Sequence, residues 1–258
     1  MHVQRTGSGT PLLLVHGLGS SHHNWAPVLP ALAARREVVA VDLPGFGQSP
    51  PLTGEVTIAT LTDALQQFLT TEGLADVDLV GSSMGARMVV ELARRGHAGA
   101  TVALDPGGFW NALQARVFGA SIKASVALVR AIQPALPVLT STPAGRTALL
   151  AQFSAHPWRL PKDLVLTELR GFDHSPSLDE ALRSLVKGPR QLGAPAGSLK
   201  AGLVIGWGRQ DKVTLPSQSA RALELFPDAT LHWFERCGHF PHWDQPEQTA
   251  ELILASTG

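Results

Sequence analysis

Short apolar runs recur along the chain, separated by longer stretches of helical periodicity, and this alternation limits the folds open to it. The runs are Pro11-Leu12-Leu13-Leu14-Val15, Glu37-Val38-Val39-Ala40-Val41, Asp78-Leu79-Val80, Thr101-Val102-Ala103-Leu104, Leu203-Val204-Ile205-Gly206-Trp207 and Thr230-Leu231-His232-Trp233-Phe234. Strands apolar on both faces need cover on both faces, which parallel sheets obtain from crossover helices. Helical patterns do lie between the runs, at residues 58–69 and 86–95 among others. Strand and helix in alternation predict an α/β fold with a mainly parallel sheet. The 258 residues, 44% hydrophobic and 16% charged, suffice for one domain with a large core.

One stretch breaks the alternation. From about Gly107 to Gln191 there is helical periodicity and punctuation but no convincing strand. Thr142-Pro143 predicts an N-cap with proline at the first helical position, and Ser177-Leu178-Asp179-Glu180 predicts a capping box. The breaker-rich Gly193-Ala194-Pro195-Ala196-Gly197-Ser198 predicts the return to the sheet. The expected division is a core of residues 1–106 and 198–258 with a helical insertion at 107–197. Within the insertion, Leu113, Val117, Ile122, Val126, Val129 and Ile132 form a stripe expected to pack on the sheet or line an apolar pocket, with Phe109, Trp110, Phe118, Phe153 and Trp158 adding aromatic surface.

Lys plus Arg and Asp plus Glu both total 21, so no overall field draws the chain to nucleic acid or to an anionic membrane. No unbroken apolar run approaches the roughly 18 residues of a bilayer span; the most apolar stretch, 124–139, is interrupted by Arg130, Gln133, Pro134 and Pro137. The N-terminus lacks a signal-peptide pattern, and the single cysteine, Cys237, forms no disulfide within the chain and is expected as a small packing residue. A cytoplasmic protein acting on a small apolar molecule is expected, with no nucleic-acid partner and no membrane insertion. No Cys/His cluster has zinc spacing, and neither metal nor organic cofactor is implied.

Gly81-Ser82-Ser83-Met84-Gly85 matches G-x-S-x-G between a predicted strand and a predicted helix. That context permits a sharp turn that exposes the central hydroxyl, with glycines where backbones crowd it. Ser83 is the candidate nucleophile; Ser82 is its off-centre rival. A serine needs a base, and Cys237-Gly238-His239-Phe240-Pro241 offers His239 in a tight loop after the last strand, with His242 as competitor. The imidazole needs an acid to fix its tautomer. Asp211, ending Gly206-Trp207-Gly208-Arg209-Gln210-Asp211, completes the order Ser, Asp, His; Asp105, also at a strand end, is the alternative. An oxyanion would rest on the N–H of Met84 and on that of Leu18, in the His16-Gly17-Leu18-Gly19 turn. Trp110, Phe118 and Phe240 are the candidate substrate-binding side chains, and Arg87 is expected to cap or pair on a helix surface.

These segments, with Asp42-Leu43-Pro44-Gly45-Phe46-Gly47-Gln48-Ser49, stand in an order that resembles the α/β-hydrolase superfamily. The likeness is to the branch holding carboxylesterases, cofactor-free haloperoxidases and C–C bond hydrolases. It implies a mainly parallel eight-stranded sheet flanked by helices, with a helical cap inserted after the sixth strand. Haloalkane dehalogenases and epoxide hydrolases resemble the pattern but carry aspartate at the elbow, where this chain has Ser83, and it has no tyrosine to open an epoxide. C–C bond hydrolases usually show tryptophan where this chain has Phe240. The resemblance implies a serine esterase on apolar esters, with C–C hydrolysis, lactone opening, perhydrolysis or a slow-turnover receptor as alternatives.

Overall fold

In a computed structural model describing residues 1–258, seven strands form one sheet in the order β1-β3-β2-β4-β5-β6-β7. They are β1 (Val3–Thr6), β2 (Pro11–Val15), β3 (Glu37–Val41), β4 (Asp78–Ser82), β5 (Thr101–Leu104), β6 (Leu203–Gly208) and β7 (Thr230–Phe234). All pairs are parallel except β1 with β3, where Val3 faces Val41. The sheet has seven strands, not the expected eight, and the chain after Phe234 is loop and helix. The helical insertion accordingly follows the fifth strand, not the sixth. Strand β1 carries the polar Gln4, Arg5 and Thr6 at an edge, and so gave no apolar run to detect.

Helices alternate with the strands: α1 (Leu29–Ala33), α2 (Ile58–Thr71), α3 (Met84–Arg94), then α4 (Ala112–Ala131), α5 (Leu136–Ser141), α6 (Pro143–Leu150), α7 (Lys162–Gly171) and α8 (Leu178–Lys187) between β5 and β6. α9 (Gln218–Leu225) joins β6 to β7, and α10 (Pro241–Asp244) and α11 (Pro246–Ser256) close the chain. Successive strand residues point to opposite faces. Leu13, Val15, Val39 and Val41 pack with α2, α3 and the inserted helices; Leu12, Leu14, Val38 and Ala40 pack with α1 and α11. Both faces are therefore dry, as the unalternating runs required.

Several local expectations can now be settled. Thr142 caps α6, its hydroxyl accepting from Gly145 N–H at 3.0 Å. Ser177 does not cap α8: its own backbone is helical and its buried hydroxyl has no partner, because its backbone N–H is drawn to the Gly45 carbonyl at 3.3 Å. On α4 the buried face is Ala115, Phe118, Ile122, Val126 and Val129. Leu113 lies nine residues before Ile122, about two and a half turns away, so it faces outward, 70% exposed, and Val117 is exposed with it. The same 20-residue helix has a mean hydropathy of 1.3, enough by length and composition to cross a bilayer, with 33% of its apolar window buried in the fold. Arg116, Lys123 and Arg130 interrupt it, so it holds no unbroken apolar run of that length.

The insertion leaves and rejoins the sheet at one place. Gly108, with φ 101°, accepts a hydrogen bond from Gln191 N–H at 3.2 Å, so the outgoing and returning chains are bonded together. Arg87 of α3 is wedged against this joint, buried rather than on a helix surface, and donates from Nη2 to the Pro189 carbonyl. A Cβ on Gly108 would stand 2.9 Å from Arg87 Nε, which is why glycine is needed there.

At the opposite end of the strands Arg36 gathers three segments. It donates to the Thr10 carbonyl at 2.9 Å, the Pro11 carbonyl at 2.9 Å, the Thr257 carbonyl at 2.8 Å and Asp78 at 2.6 Å, and is 5% exposed. Removing one partner of a buried, fully bonded pair costs about 3–5 kcal/mol. Arg36→Met is expected to lower Tm by roughly 6–15 °C at the sensitivity usual for this chain length, measured by calorimetry at neutral pH.

Candidate active site

Strand β4 ends at Ser82 and α3 begins at Met84, so Ser83 alone makes the turn. Its φ of 55° and ψ of −110° are unusual for a side-chain-bearing residue, a strain of order 1–3 kcal/mol. Backbone bonds hold it there: Ser83 N–H donates to Leu104 at 2.9 Å, and its carbonyl accepts from Arg87 at 3.1 Å and Gly107 at 3.3 Å. A Cβ on Gly81 would lie 2.4 Å from the Gly85 carbonyl oxygen, and one on Gly85 would lie 2.3 Å from that of Val15. The two motif glycines are thus steric requirements.

Ser83 Oγ donates to His239 Nε2 at 2.8 Å, and His239 Nδ1–H donates to Asp211 Oδ2 at 2.9 Å. The three residues predicted from chain order meet in one hydrogen-bonded line. Ser82 is fully buried with its hydroxyl unpartnered, and His242 points elsewhere, its Nε2 2.5 Å from Asn24 Oδ1. Burial pushes the His242 ring down to about 3, so it stays neutral. His239 itself is fixed by its N–H on the Phe153 carbonyl at 2.7 Å.

Asp211 is held by donors on both oxygens. Oδ1 accepts from Val213 and Thr214 N–H at 2.7 and 3.1 Å, and Oδ2 from the Thr214 hydroxyl at 2.6 Å as well as from His239. Burial works against its charge, but the His239 charge and hydrogen bond, with Asp105 and Thr214, outweigh it and hold the carboxyl below its usual range. Asp105 is the mirror case. It is fully buried, with φ 48°, and Oδ1 accepts from Gly208 N–H at 2.9 Å. Oxygens of Asp105 and Asp211 and a ring nitrogen of His239 lie within 4.8 Å of one another. Burial, and then the adjacent Asp211 charge, push Asp105 well above its usual range, opposite to the shift of Asp211. Asp211 is the ionised member and the one bonded to the imidazole.

The turn after β2 lies beside the elbow: a Cβ on Gly17 would stand 3.2 Å from that of Ser83. His16 sets this turn, with Nδ1–H donating to the Gly17 carbonyl at 2.7 Å and Nε2 accepting from Leu43 N–H at 3.0 Å. Burial lowers its pKa to about 4, so the neutral tautomer persists. The N–H groups of Leu18 and Met84 donate to no acceptor in the chain, as an oxyanion hole needs.

A cavity of about 50 Å³ opens at Ser83 and His239. Phe118 and Phe240, both expected there, line it, as do Ile122, Phe153 and Trp243. Trp110 does not reach it. The Gly107–Gly108 turn folds its ring back over Gly107, and it stacks on Phe118 with centroids 4.7 Å apart. Trp158 is 45% exposed, and Cys237 is fully buried beside the histidine loop, where burial raises its thiol pKa far above usual. Sequence reasoning missed three supports. Thr214 clamps Asp211. Asp244 accepts from Gly238 and Ala155 N–H, each at 2.7 Å, and from the Ser154 hydroxyl, tying the histidine loop to the insertion. Glu168, on the buried face of α7 with Leu164, Val165 and Leu169, lines the cavity. Its spacing from those three residues was the available signal.

Residues 12–252 match the pattern of the alpha/beta hydrolase family. A 2-hydroxy-6-oxononadienedioate/2-hydroxy-6-oxononatrienedioate hydrolase of Pseudomonas putida is 28% identical over 266 residues, covering 98% of this chain and 90% of that protein. Among solved structures, a thermophilic esterase from Thermogutta terrifontis superposes with TM-score 0.75 at 19% identity, covering 98% of this chain and 91% of the other. The enol-lactonase from Burkholderia xenovorans LB400 does so with TM-score 0.75 at 19% identity, covering 98% and 95%.

The two acids give a clean test. Asp211→Asn removes the charge and the acceptor that fix the imidazole, and is expected to lower kcat by about four orders of magnitude. Asp105→Asn keeps a neutral donor in place and is expected to cost less than about tenfold. Parallel kcat measurements on one chromogenic ester decide it, and equal losses would make Asp105 a full partner of the histidine.

Proposed function

The chain belongs to the alpha/beta hydrolase family, and on that premise we propose that it is a serine carboxylesterase acting on small, apolar, uncharged esters. Ser83 Oγ attacks the ester carbonyl as His239 Nε2 takes its proton, and the oxyanion is received by Leu18 and Met84 N–H. His239 then protonates the departing alcohol. Water, activated by the same imidazole, releases the acid and regenerates Ser83. Asp211 keeps Nδ1 protonated and stabilises the imidazolium throughout.

The observation that carries this reading is the unbroken line of hydrogen bonds from Ser83 through His239 to Asp211, at 2.8 and 2.9 Å. The cavity supports the substrate class. Its 15 lining residues include no lysine or arginine; the ionisable ones are Glu168 and His239. The Pseudomonas putida relative is named for dioates, which carry two carboxylates. Such a substrate would enter this cavity without a cation to offset its desolvation. A neutral ester meets no such cost. The cavity at Ser83 is small, about 50 Å³, which favours short acyl chains.

Ser83→Ala is expected to abolish hydrolysis of p-nitrophenyl acetate and butyrate, at least a thousandfold in kcat/KM. The wild type should prefer these to the octanoate and to any ester with a charged acyl group. A panel led by charged or long-chain esters, or near-normal turnover by Ser83→Ala, refutes the proposal.

A further inference from the structure

Glu168 is the one acidic side chain lining the cavity, set among Leu18, Phe118, Leu169, Phe172 and Trp243. It is 6% exposed. Oε2 accepts from Ser20 Oγ at 2.6 Å and from Asn24 Nδ2 at 2.8 Å. Those two donors sit in the segment that follows the Leu18 turn, so α7 is tied to the oxyanion side of the site. Oε1 is equally buried and has no partner at all.

A carboxylate oxygen without a donor in apolar surroundings is costly, and a buried polar atom left unpaired in a folded protein calls for a reason. Bonds to Ser20 and Asn24 account for Oε2 alone; an amide or hydroxyl could tie α7 to the same loop more cheaply. Glu168 lines the compartment shared by Ser83 and His239, where substrate must lie, and Oε1 is its oxygen left without a partner. We propose that Oε1 of Glu168 is a substrate subsite, and that the ester cleaved by this protein carries a hydroxyl group that bonds to it. This deepens the esterase reading and rests on it for the position of the reacting carbonyl.

A hydroxyl fits better than an ammonium. An ammonium brings three N–H donors, and the rest of the lining is largely aliphatic and aromatic, whereas a hydroxyl needs one partner. A hydroxyl also donates and accepts, so it matches either protonation state of the acid. That is useful here, because burial raises Glu168 to about 7 against the opposing pull of Ser20 and Asn24. A strongly perturbed acid in a catalytic cleft is itself a mark of a working group.

The test uses Ser83→Ala, which leaves esters intact, and titration calorimetry with methyl butyrate and with the methyl esters of 2-, 3- and 4-hydroxybutyric acid. At least one hydroxy ester should bind about tenfold or more tightly than methyl butyrate, as expected for a hydrogen bond to a charged or half-charged group. In Ser83→Ala/Glu168→Leu that preference should disappear, the ratio of hydroxy-ester to methyl butyrate affinity falling to about one. Should the leucine variant fail to fold, Glu168→Gln, which preserves shape and the Ser20 contact, should cut the preference several-fold. The proposal is overturned if no hydroxy ester outbinds methyl butyrate, or if the preference survives loss of the carboxylate. Failure of the esterase reading shows separately, as wild-type protein that does not hydrolyse methyl butyrate.

Discussion

The contact of Gly85 with the Val15 and His16 carbonyls is the constraint on which the site depends. A Cβ there would come within 2.3 Å of one oxygen and 2.5 Å of the other. This closeness lets α3 leave β4 at once and brings the end of β2 against the elbow. Two consequences follow from one approach. Ser83 is forced to φ 55°, and the Gly17–Leu18 turn is brought beside it. Ser83 and the Gly17–Leu18 turn therefore share one unit of adjacent parallel strands, β2 and β4, the kind of fixed arrangement that the proposed acyl transfer requires.

Around that unit, burial sorts the ionisable groups by charge state. His16 and His242 are held neutral by desolvation and serve as fixed hydrogen-bond pieces, one shaping the turn and the other bracing Asn24. Asp42 goes the other way: bonds from His22 and Gln48 overcome burial and lower it to about 2. Asp105 and Asp211 divide the two outcomes between them. Only the member bonded to the imidazole keeps its charge, so one negative charge sits behind His239 rather than two.

Much of this was legible in the sequence, for definite reasons. Runs such as Leu12-Leu13-Leu14-Val15 announce strands buried on both faces, and G-x-S-x-G between a strand and a helix fixes Ser83 through sterics that act over five residues. Asp211 and His239 followed from chain order. What escaped depends on contacts between distant segments. Strand β1 is polar and pairs only through its backbone with β3. The Ser177 capping box failed because a backbone bond to Gly45, far away in sequence, took its place. Trp110 looked like pocket lining until the Gly107–Gly108 turn reversed its ring. Glu168 is bonded to Ser20 and Asn24, and Asp244 to Ser154 and Ala155, segments far away along the chain that no local pattern encodes.

The joint of Gly108, Gln191 and Arg87 has a consequence of another kind. Because the chain leaves the sheet and returns to it at one bonded point, everything between behaves as a cassette held by its two ends. The sheet needs only that the ends meet; the elbow and the Asp211 loop lie outside the cassette. Lengthening, shortening or exchanging residues 109–189 would alter seven of the cavity's lining residues, Phe118, Ile122, Leu150 and Glu168 among them, while Ser83 lies outside the exchanged segment. Only Phe153–Ala155 within it bear on the reaction, because the Phe153 carbonyl and the Asp244 contacts hold the His239 loop; the other walls can change while the elbow stays as it is.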